Sequence, residues 1–350
     1  MKPTIRRKED AKPMQFDLNR RLHIIPVGRV AIDFNPTDYY RPLEKSENFN
    51  RYLGGSPANI AVGMARLGNR VGFLGRVSDD AFGDFVTDYF VQEGIDVSHI
   101  RRCENGEKLG LTFTEMKSPT ESSILMYREG VADLQLCPED VDEAYIADSA
   151  VLLISGTALC TSPTREASFK ALTFARRRDV RVVFDADYRA YTWKSPDEIA
   201  IYTSLVAEKA DIVMGSREEF DLMERLLNLD GSDEASARYW LDKGVKICVI
   251  KHGKSGSRAY SREGCYEVRP FPVTALKGFG GGDGYASSFL HAYMAGHSLA
   301  SSLERGSASA AMLVASHACS KDMPGEAALE AFMAKEKEKC GTVISELPAL

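Results

Sequence analysis

The most informative stretch of the chain is Gly278-Phe279-Gly280-Gly281-Gly282-Asp283-Gly284, followed at once by Tyr285-Ala286-Ser287-Ser288-Phe289-Leu290. Apolar residues in the second part recur at helical spacing, which predicts a glycine loop that leads into a buried helix. Consecutive glycines let backbone N–H groups converge, and a helix N-terminus adds partial positive charge. The loop is therefore predicted to bind an anion, with Asp283 at its mouth as a helix cap or a base. No Gly-Lys-Ser/Thr follows the glycines, which excludes a Walker A loop.

A second glycine pair precedes a predicted helix nearer the N-terminus. The run is Gly54-Gly55-Ser56-Pro57-Ala58-Asn59, and the apolar spacing that follows it predicts a helix over Pro57–Leu67. Asn59 lies in the first turn, where its amide can reach a hydroxyl group. Taken alone, this run fits an ordinary helix N-terminus equally well.

Short apolar runs alternate with helix-like stretches along most of the chain. The runs are rich in Val and Ile and almost continuously apolar, which is typical of strands buried on both faces of a parallel sheet. The predicted fold class is therefore α/β, a doubly wound, mostly parallel sheet flanked by helices. The predicted strands are Leu22–Val27, Val71–Leu74, Val151–Ser155, Arg181–Asp185, Asp211–Met214 and Ile247–Lys251, and the further predicted helices are Phe82–Glu93, Pro163–Arg178, Ser195–Lys209 and Arg217–Leu227.

Two regions break this alternation. Residues 30–53 show no helical pattern, and residues 109–127 hold two segments of period 2 that are separated by Lys117-Ser118-Pro119-Thr120, which is typical of a hairpin. We expect strands from about 30–53 and 105–130 to form a small β-sheet lid over a site at the edge of the main sheet. The main domain is expected over 22–340, after a flexible extension at 1–21.

Composition and charge restrict the partners. The 350 residues are 44% apolar and 27% charged, which is typical of a globular protein. With 44 basic and 50 acidic residues the net charge is −6, which argues against nucleic acid or an anionic membrane as a partner. We therefore expect small-molecule ligands.

The cysteines and the N-terminus indicate the compartment. Seven cysteines are widely spaced and include no Cys-x-x-Cys, which favours reduced thiols over a disulfide or zinc framework. The charged segment from Met1 to Arg21 has no apolar core and does not fit a signal peptide. The expected localisation is cytoplasmic.

Together, the two glycine motifs resemble those of the ribokinase-like, or PfkB, carbohydrate kinases. The N-terminal family signature is similar to the run from Gly54 to Ala61 and continues as Gly75-Arg76-Val77-Ser78-Asp79-Asp80-Ala81-Phe82-Gly83. The C-terminal signature, Asp-Thr-x-Gly-Ala-Gly-Asp, resembles the run from Lys277 to Asp283. The resemblance covers about residues 22–330 and implies a ribokinase-like fold and an ATP-dependent sugar kinase.

The resemblance also implies catalytic roles. Phosphoryl transfer needs positioning, charge neutralisation and an oriented nucleophile more than covalent help. Asp283 would be the base that accepts the proton of the sugar hydroxyl, and the N–H groups of Gly280, Gly281 and Gly282 would form an anion hole for the transferred phosphoryl group. Lys277 and Gly278 replace the family's Asp-Thr pair, which helps some members to bind a monovalent cation, so the Lys277 ammonium is a candidate substitute for K⁺.

The nucleotide is expected at neighbouring strand ends. The family's Asn-x-x-Glu motif aligns with Ser216-Arg217-Glu218-Glu219, so Glu219 is expected to contact Mg²⁺ through water. The turn Lys251-His252-Gly253-Lys254-Ser255-Gly256 resembles the family's nucleotide-binding turn. The predicted ATP-binding residues are Ser216, Lys251, Gly253, Gly256, Gly280 and Gly282.

The substrate residues resemble those of family members that act on keto-deoxy sugar acids. The run Tyr127-Arg128-Glu129-Gly130-Val131-Ala132-Asp133 and the run Phe184-Asp185-Ala186-Asp187-Tyr188-Arg189 carry this likeness. Two arginines on separate segments suit bidentate binding of a carboxylate. The predicted substrate-binding residues are Asp33, Gly54, Gly55, Asn59, Arg128, Asp185 and Arg189.

Several alternatives stay open at this stage. The expected reaction is phosphorylation of the terminal hydroxyl of a keto-deoxy sugar acid by ATP. A 2-keto-3-deoxygluconate kinase, a fructokinase or ribokinase, and a sugar sensor of the same fold without catalysis are the alternatives. A homodimer joined through the lid strands is also predicted, because exposed strand edges favour pairing.

Overall fold

The computed structural model describes residues 14–118 and 121–350, which form an α/β fold. The strands are β1 (Leu22–Val27), β2 (Ala31–Pro36), β3 (Phe49–Gly54), β4 (Gly75–Val77), β5 (Ile100–Arg102), β6 (Gly110–Met116), β7 (Ser122–Tyr127), β8 (Ser149–Ser155), β9 (Arg181–Asp185), β10 (Ile212–Ser216), β11 (Ile247–Lys251), β12 (Ser257–Ser261), β13 (Cys265–Val268) and β14 (Ile344–Leu347). The helices are α1 (Ser56–Arg66), α2 (Ala81–Gln92), α3 (Glu143–Ala147), α4 (Thr164–Arg177), α5 (Pro196–Ala207), α6 (Arg217–Met223), α7 (Asp233–Lys243), α8 (Gly281–Met294), α9 (Leu299–Val314) and α10 (Glu326–Cys340).

The main sheet has eight strands in the order β1-β8-β9-β10-β11-β12-β13-β14. The first five strands are parallel, and the last three are added antiparallel. Because the five parallel strands end at the same edge, the loops that follow β1, β8, β9, β10 and β11 lie side by side. In open α/β sheets this carboxyl edge is where ligands bind.

Helices cover both faces of the main sheet, as the nearly continuous apolar strands predict. In β8, Val151 and Leu153 belong to the core that packs under α1, α8 and α9, while Leu152 and Ile154 belong to the core under α4 and α7. Successive strand side chains point to opposite faces, so each strand contributes to both cores. The predicted doubly wound architecture is confirmed.

A separate four-stranded sheet forms the predicted lid, in the order β3-β2-β6-β7. The lid contacts the main domain through β7: the Tyr191 hydroxyl donates to the Ile124 carbonyl oxygen at 2.9 Å, and the Gly278 N–H donates to Ser122 Oγ at 3.2 Å. The second contact joins the lid directly to the glycine loop. Strands β2 and β3 lie within 30–53, and β6 and β7 lie within 105–130 and pair as an antiparallel hairpin; residues 119 and 120 of its turn lie outside the described residues.

The boundaries differ from the sequence-based expectation in a few places. Helix α6 ends at Met223 rather than Leu227, and Val71–Leu74 pairs with β1 only through isolated bridges. Strand β14 lies beyond the predicted domain end at residue 340 and pairs with β13. These are short or terminal elements, whose few residues give little periodicity to read.

The predicted extension at 1–21 is described only from Met14. In that part, Phe16 packs edge-on against Tyr293 at 5.9 Å, and the Arg20 guanidinium donates to the Ser149 carbonyl oxygen at 2.9 Å. Residues 14–21 are therefore packed on the domain and are not part of a flexible extension. Within the described ranges, none of the helices has both the length and the apolar character that crossing a membrane requires.

Candidate active site

Asp283 lies in the first turn of α8, at the carboxyl edge of the main sheet. Its Oδ2 accepts a hydrogen bond from Asn59 Nδ2 at 2.7 Å, so the two glycine motifs meet at one carboxylate. Burial and the negative charge of Asp187 raise the pKa of Asp283 to about 6, although Asn59 and Arg189 oppose the rise. A carboxylate with a pKa near the working pH is suited to act as a general base.

The glycine loop before Asp283 requires glycine for steric reasons. Gly280 has a φ of 83°, in the left-handed region, and a Cβ there would overlap Cys319 Sγ. Gly281 and Gly282 form the first turn of α8, where backbone N–H groups have no partner within the helix. The predicted anion hole therefore has the required donors at a helix N-terminus.

Lys277 is fully buried directly behind this loop. Its ammonium group donates to the Ala318 carbonyl oxygen at 2.5 Å and to Cys319 Sγ at 3.6 Å, and it lies 5.2 Å from the centre of the Phe279 ring. A carbonyl oxygen and a ring face are groups that also attract a monovalent cation. The ammonium of Lys277 thus provides a fixed positive charge under the glycine loop.

Asp33 lies on β2, on the inner side of the lid. A Cβ at Gly54 would overlap the Asp33 carboxylate, so glycine at position 54 makes room for this acid. Asp33 Oδ1 is enclosed but has no hydrogen-bond partner among the described residues. Burial raises the pKa of Asp33, while Arg29 and the Thr112 hydroxyl oppose that rise. An enclosed, unpaired carboxylate oxygen is suited to accept a hydrogen bond from a ligand hydroxyl group.

Asn59 presents a second unpaired oxygen. Its Nδ2 is used by Asp283, but its Oδ1 is enclosed without a partner in the described part of the chain. Asn59 and Asp33 therefore offer two acceptors for hydroxyl groups. Gly55, the N-cap of α1, has a φ of 97° and lets the chain turn sharply from β3 into that helix.

Acidic groups and one lysine collect where β9, β10 and β11 end. Lys251 Nζ lies 3.4 Å from Asp185 Oδ1 and 3.8 Å from the position of a Cβ built on Gly282. Burial and the neighbouring acids Asp187 and Glu219 raise the pKa of Asp185 to about 7, against the opposing effect of Lys251. The sequence places Asp185 with the sugar, whereas the structure groups it with Lys251 and Glu219, which are predicted to contact the nucleotide and Mg²⁺.

These acids fit a magnesium ion that a nucleotide helps to hold. Within residues 14–118 and 121–350, no group of three Asp, Glu, His or Cys side chains is placed to bind a metal ion by itself. The two oxygens of Glu219 accept the N–H groups of Ser216 and Tyr188 at 2.6 and 2.8 Å, and their other lone pairs remain for water. Mg²⁺ commonly keeps several waters and combines one or two carboxylates with substrate phosphates. Asp185 and Glu219 are suited to that outer role.

The predicted nucleotide turn lies next to this cluster. Gly253 and Gly256 flank a single 3₁₀ turn after β11, and both have positive φ values, of 55° and 97°. Ser216 pairs in register with Lys251, but its hydroxyl accepts the Glu219 N–H as the cap of α6. Ser216 therefore fixes Glu219, and this contact uses the hydroxyl that the sequence assigns to ATP.

The two predicted carboxylate-binding arginines differ in the structure. The Arg128 side chain is 1% exposed and is bound to Asp133 Oδ2 at 2.6 Å and to the Thr157 carbonyl oxygen at 2.8 Å. The Arg189 side chain is 32% exposed; its Nη1 pairs with Asp187 Oδ1 at 2.6 Å, and no hydrogen bond uses its Nε or Nη2 among the described residues. Arg189 therefore keeps free donors, whereas Arg128 is occupied by an internal ion pair.

Sequence reasoning missed two charged residues of the site. Asp187 has a φ of 28° and holds Arg189, and its carboxylate also influences the pKa of Asp283. Arg29 follows β1 at the carboxyl edge and donates to Thr112 Oγ1 on the lid at 2.7 Å. The available signal for Arg29 was its position, a charged residue two places after a buried strand.

Comparisons with known proteins identify the family of the chain. The family model described as "pfkB family carbohydrate kinase" matches residues 22–325. A curated relative from Clostridium perfringens, 5-dehydro-2-deoxygluconokinase, is 61% identical over 95% of this chain and 98% of its own length. A protein of the same name from Geobacillus kaustophilus is 50% identical over 93% of this chain and 97% of its own.

Solved structures support the fold. A PfkB protein from Polaromonas sp. JS666 is 28% identical and aligns with a TM-score of 0.77 over 89% of this chain and 99% of its own. A putative Ribokinase II from E. coli in complex with ATP and Mg²⁺ aligns with a TM-score of 0.81 over 90% of this chain and 99% of its own, at 22% identity. The ribokinase-like architecture is thus confirmed, and the chain belongs to the pfkB family of carbohydrate kinases.

Proposed function

We propose that this protein is a 5-dehydro-2-deoxygluconokinase, which uses ATP to phosphorylate the C6 hydroxyl of 5-dehydro-2-deoxy-D-gluconate in myo-inositol catabolism. The observation that carries the proposal is the 61% identity to a relative of that name over 95% of the chain. The site supports it, because Asp283 meets the glycine loop and Asn59 at the carboxyl edge of the sheet.

Asp283 is proposed to accept the proton of the C6 hydroxyl. As that proton leaves, the C6 oxygen forms a bond to the γ-phosphorus of ATP, the bond from this phosphorus to the β–γ bridging oxygen breaks, and ADP leaves. Asn59 Nδ2 fixes the Asp283 carboxylate by its 2.7 Å hydrogen bond. Because reacting atoms must approach within about 3–3.5 Å, this orientation contributes directly to the rate.

Charge on the transferred phosphoryl group is proposed to be stabilised by the N–H groups of Gly280, Gly281 and Gly282 together with Lys251. Preorganised donors of this kind stabilise developing charge without reorganisation. Mg²⁺, when bound with ATP, would neutralise phosphate charge, and Glu219 and Asp185 would hold its water ligands. Gly253 and Gly256 would bring the turn after β11 to the nucleotide.

The sugar acid is proposed to lie between the main sheet and the lid. Asp33 and Asn59 would accept hydrogen bonds from its hydroxyl groups with their unpaired oxygens. Gly54 gives the Asp33 carboxylate room, while Gly55 lets the chain pass close to the Arg29 carbonyl oxygen. Arg189 offers its free guanidinium donors from the end of β9. Arg128 is proposed to act on the substrate indirectly: held by its ion pair with Asp133, its guanidinium adds positive charge near the bound acid.

A coupled ADP-release assay tests the proposal. The panel holds 5-dehydro-2-deoxygluconate, 2-keto-3-deoxygluconate, fructose and ribose, each with and without Mg²⁺. We expect the first acid to give the highest kcat/KM and no turnover without Mg²⁺. A higher kcat/KM for fructose or ribose would replace the sugar-acid assignment, and no turnover of any sugar would favour a sensor.

We expect the activity to fall in acid with an apparent pKa of about 6. Asp283 accepts a proton only as the carboxylate, and its raised pKa means that it is half protonated at about pH 6. With both substrates below their Michaelis constants, the rate reports the free enzyme. The rate should be level above pH 7 and fall about tenfold per pH unit well below 6.

The variant Asp185→Asn identifies the titrating group. The pKa of Asp185 is about 7, so Asp185 is mostly protonated where Asp283 titrates, and Asp185→Asn should leave the acid limb near pH 6. Loss of the limb in this variant would assign it to Asp185. A wild-type rate that stays level down to pH 5 would contradict the role of Asp283.

We expect no requirement for K⁺. The buried Lys277 ammonium already donates to the Ala318 carbonyl oxygen beneath the glycine loop, where a monovalent cation would otherwise supply the charge. Turnover should stay within about twofold when Na⁺ replaces K⁺ at constant ionic strength, since exposed charges respond equally to either salt. A steep rise with K⁺ alone would show that a cation site exists in addition to Lys277.

Arg189→Met is expected to raise the KM for the sugar acid by tens-fold or more and to leave the KM for ATP nearly unchanged. The loss of a charge-assisted contact to a ligand carboxylate typically costs about 2–5 kcal/mol. The exposed Arg101→Met is the matched control. An unchanged KM for the acid would remove Arg189 from the substrate site.

The lid is proposed to join two copies of the chain. On its outer face Phe34 stacks on Phe113 at 5.1 Å, and Leu125 and Tyr127 are 43% and 58% exposed on the edge strand β7. Exposed apolar edge strands favour pairing. Sedimentation should give a dimer for the wild type and a monomer for Leu125→Lys; a wild-type monomer would contradict this proposal.

The expected compartment is the cytoplasm, in keeping with seven unpaired cysteines.

A further inference from the structure

Arg29 is a buried arginine that has no acidic partner within ion-pair distance among the described residues. Four arginines are buried in the described part of the chain, and three of them form ion pairs: Arg128 with Asp133, Arg165 with Glu198, and Arg305 with Glu326. Arg29 is 4% exposed, and within the described ranges its side chain makes one hydrogen bond, from Nη2 to Thr112 Oγ1 at 2.7 Å. Because a buried cation without a counter-charge is costly, its missing partner needs an explanation.

Arg29 leaves further donors unused at the edge of the sheet where the site lies. Its Nε is enclosed and has no acceptor among the described residues, and no hydrogen bond there uses its Nη1 either. Residue 29 lies between β1 and β2, at the carboxyl edge where the lid begins. A guanidinium keeps its charge under all ordinary conditions, so this group calls for an acceptor rather than for loss of its proton.

The charged side chains near Arg29 form ion pairs with each other, except for one acid. Arg128 is bound to Asp133, and Arg189 is bound to Asp187. The remaining acid is Asp33, whose Oδ1 is also enclosed and has no partner in the part of the chain that the structure describes.

Arg29 and Asp33 approach the same hydroxyl from two sides. Asp33 stands opposite Thr112 in the register of β2 and β6, and Arg29 donates to the hydroxyl of Thr112. The two unsatisfied groups, a cation and an anion, are thus fixed next to each other without touching. A ligand that carries an anionic oxygen beside a hydroxyl group would satisfy both.

We propose that Arg29 binds the carboxylate of the sugar acid, while the adjacent Asp33 binds a hydroxyl group of the same molecule. This inference rests on the proposed function, whose substrate has a C1 carboxylate and a C3 hydroxyl separated by one methylene. Arg29 thereby acts together with Arg189 to select an acid over a neutral sugar. Arg128, occupied by Asp133 and the Thr157 carbonyl oxygen, then keeps the pocket charged and shaped without touching the carboxylate.

The test compares 5-dehydro-2-deoxygluconate with its C1 amide, in wild type and in Arg29→Met. In the wild type the acid should bind more tightly than the amide. In the variant the KM for the acid should rise by about 30-fold or more, while the KM for the amide and for ATP stay within about threefold. Thermal stabilisation by the acid, measured without nucleotide, should likewise fall to the level given by the amide.

The unfolding midpoint without ligand separates binding from a structural role. Removing Arg29 leaves no acid without its ion-pair partner, so the midpoint of Arg29→Met should equal or exceed that of the wild type. The matched control, Arg165→Met, removes a buried arginine that is paired with Glu198 and should lower the midpoint while the KM for the acid stays unchanged.

Three results would overturn the assignment of Arg29. The first is a KM of Arg29→Met for the acid that stays within threefold of wild type. The second is an equal rise in its KM values for the acid and for the amide. The third is an unfolding midpoint that falls as far as that of Arg165→Met. The proposed function fails separately: it fails if wild-type protein does not phosphorylate the acid. If the wild type then prefers another sugar acid, the same comparison with that acid and its amide tests Arg29.

Discussion

Replacing Asp283 with asparagine is expected to lower kcat by about 10²–10⁴-fold, the usual contribution of a general base. The amide has the same shape and can still face Asn59, but it cannot accept the proton of the sugar hydroxyl. Because the charge of Asp283 is already unfavourable where it is buried, losing it should not unfold the protein. Thermal stabilisation by MgADP should remain, since the glycine N–H groups and Lys251 are unchanged.

The control for this variant is Asp88→Asn, the same chemical change at an exposed position of α2. It should retain wild-type turnover. If Asp283→Asn works within a few-fold of wild type, Asp283 serves only as part of the first turn of α8, and another group must take the proton.

Replacing Lys251 with methionine is the second large change. Its ammonium group lies beside Asp185 and close to Gly282, so it is fixed where negative charge on the transferred phosphoryl group would develop. Removing one preorganised donor of this kind typically lowers kcat by about 10²–10³-fold. The KM for ATP should rise as well, while the KM for the sugar acid changes little.

The fold should tolerate this loss because Asp185 can become neutral. The pKa of Asp185 is about 7 even though the charge of Lys251 lowers it. Without Lys251 this pKa should rise further, so Asp185 should be protonated at neutral pH. Lys254→Met, in the exposed turn three residues further on, is the matched control and should keep nearly full activity. If Lys251→Met keeps the wild-type kcat and KM for ATP, the phosphates of ATP do not bind next to β11.

The main sheet was predictable because its signal is local. Strands β9 and β11 have the predicted bounds, since five-residue apolar runs between helices leave little choice of register. The antiparallel strands from β12 to β14 were not predicted. They are short and partly exposed, so their pattern is weak.

The site was predictable where glycine and acid occur together in one motif. Asp283 and Asn59 belong to separate motifs, one predicted to carry the base and the other to bind the substrate, and a 2.7 Å hydrogen bond joins them. The partners of the arginines could not be read from the sequence. Whether Arg128 faces a ligand or Asp133 depends on how the lid packs on the sheet, a long-range property that spacing along the chain does not contain.

The ion-pair inventory is what distinguishes Arg29 from the other buried arginines. The sequence does not distinguish the four buried arginines from one another. Their ion pairs in the structure show that Arg29 alone among these four has no acidic partner in the described ranges. Asp185 illustrates the same limit, because its strand-end position fits either the sugar or the nucleotide until Lys251 is placed next to it.

The most direct measurement is a competition in one reaction. The protein receives equal concentrations of 5-dehydro-2-deoxygluconate, 2-keto-3-deoxygluconate and fructose with limiting MgATP, and the phosphorylated products are identified by phosphorus and carbon NMR. We expect nearly all of the phosphate on C6 of 5-dehydro-2-deoxygluconate. Phosphate found mainly on either competitor would contradict the proposed substrate, and consumption of ATP without any sugar phosphate would contradict the proposed kinase reaction itself.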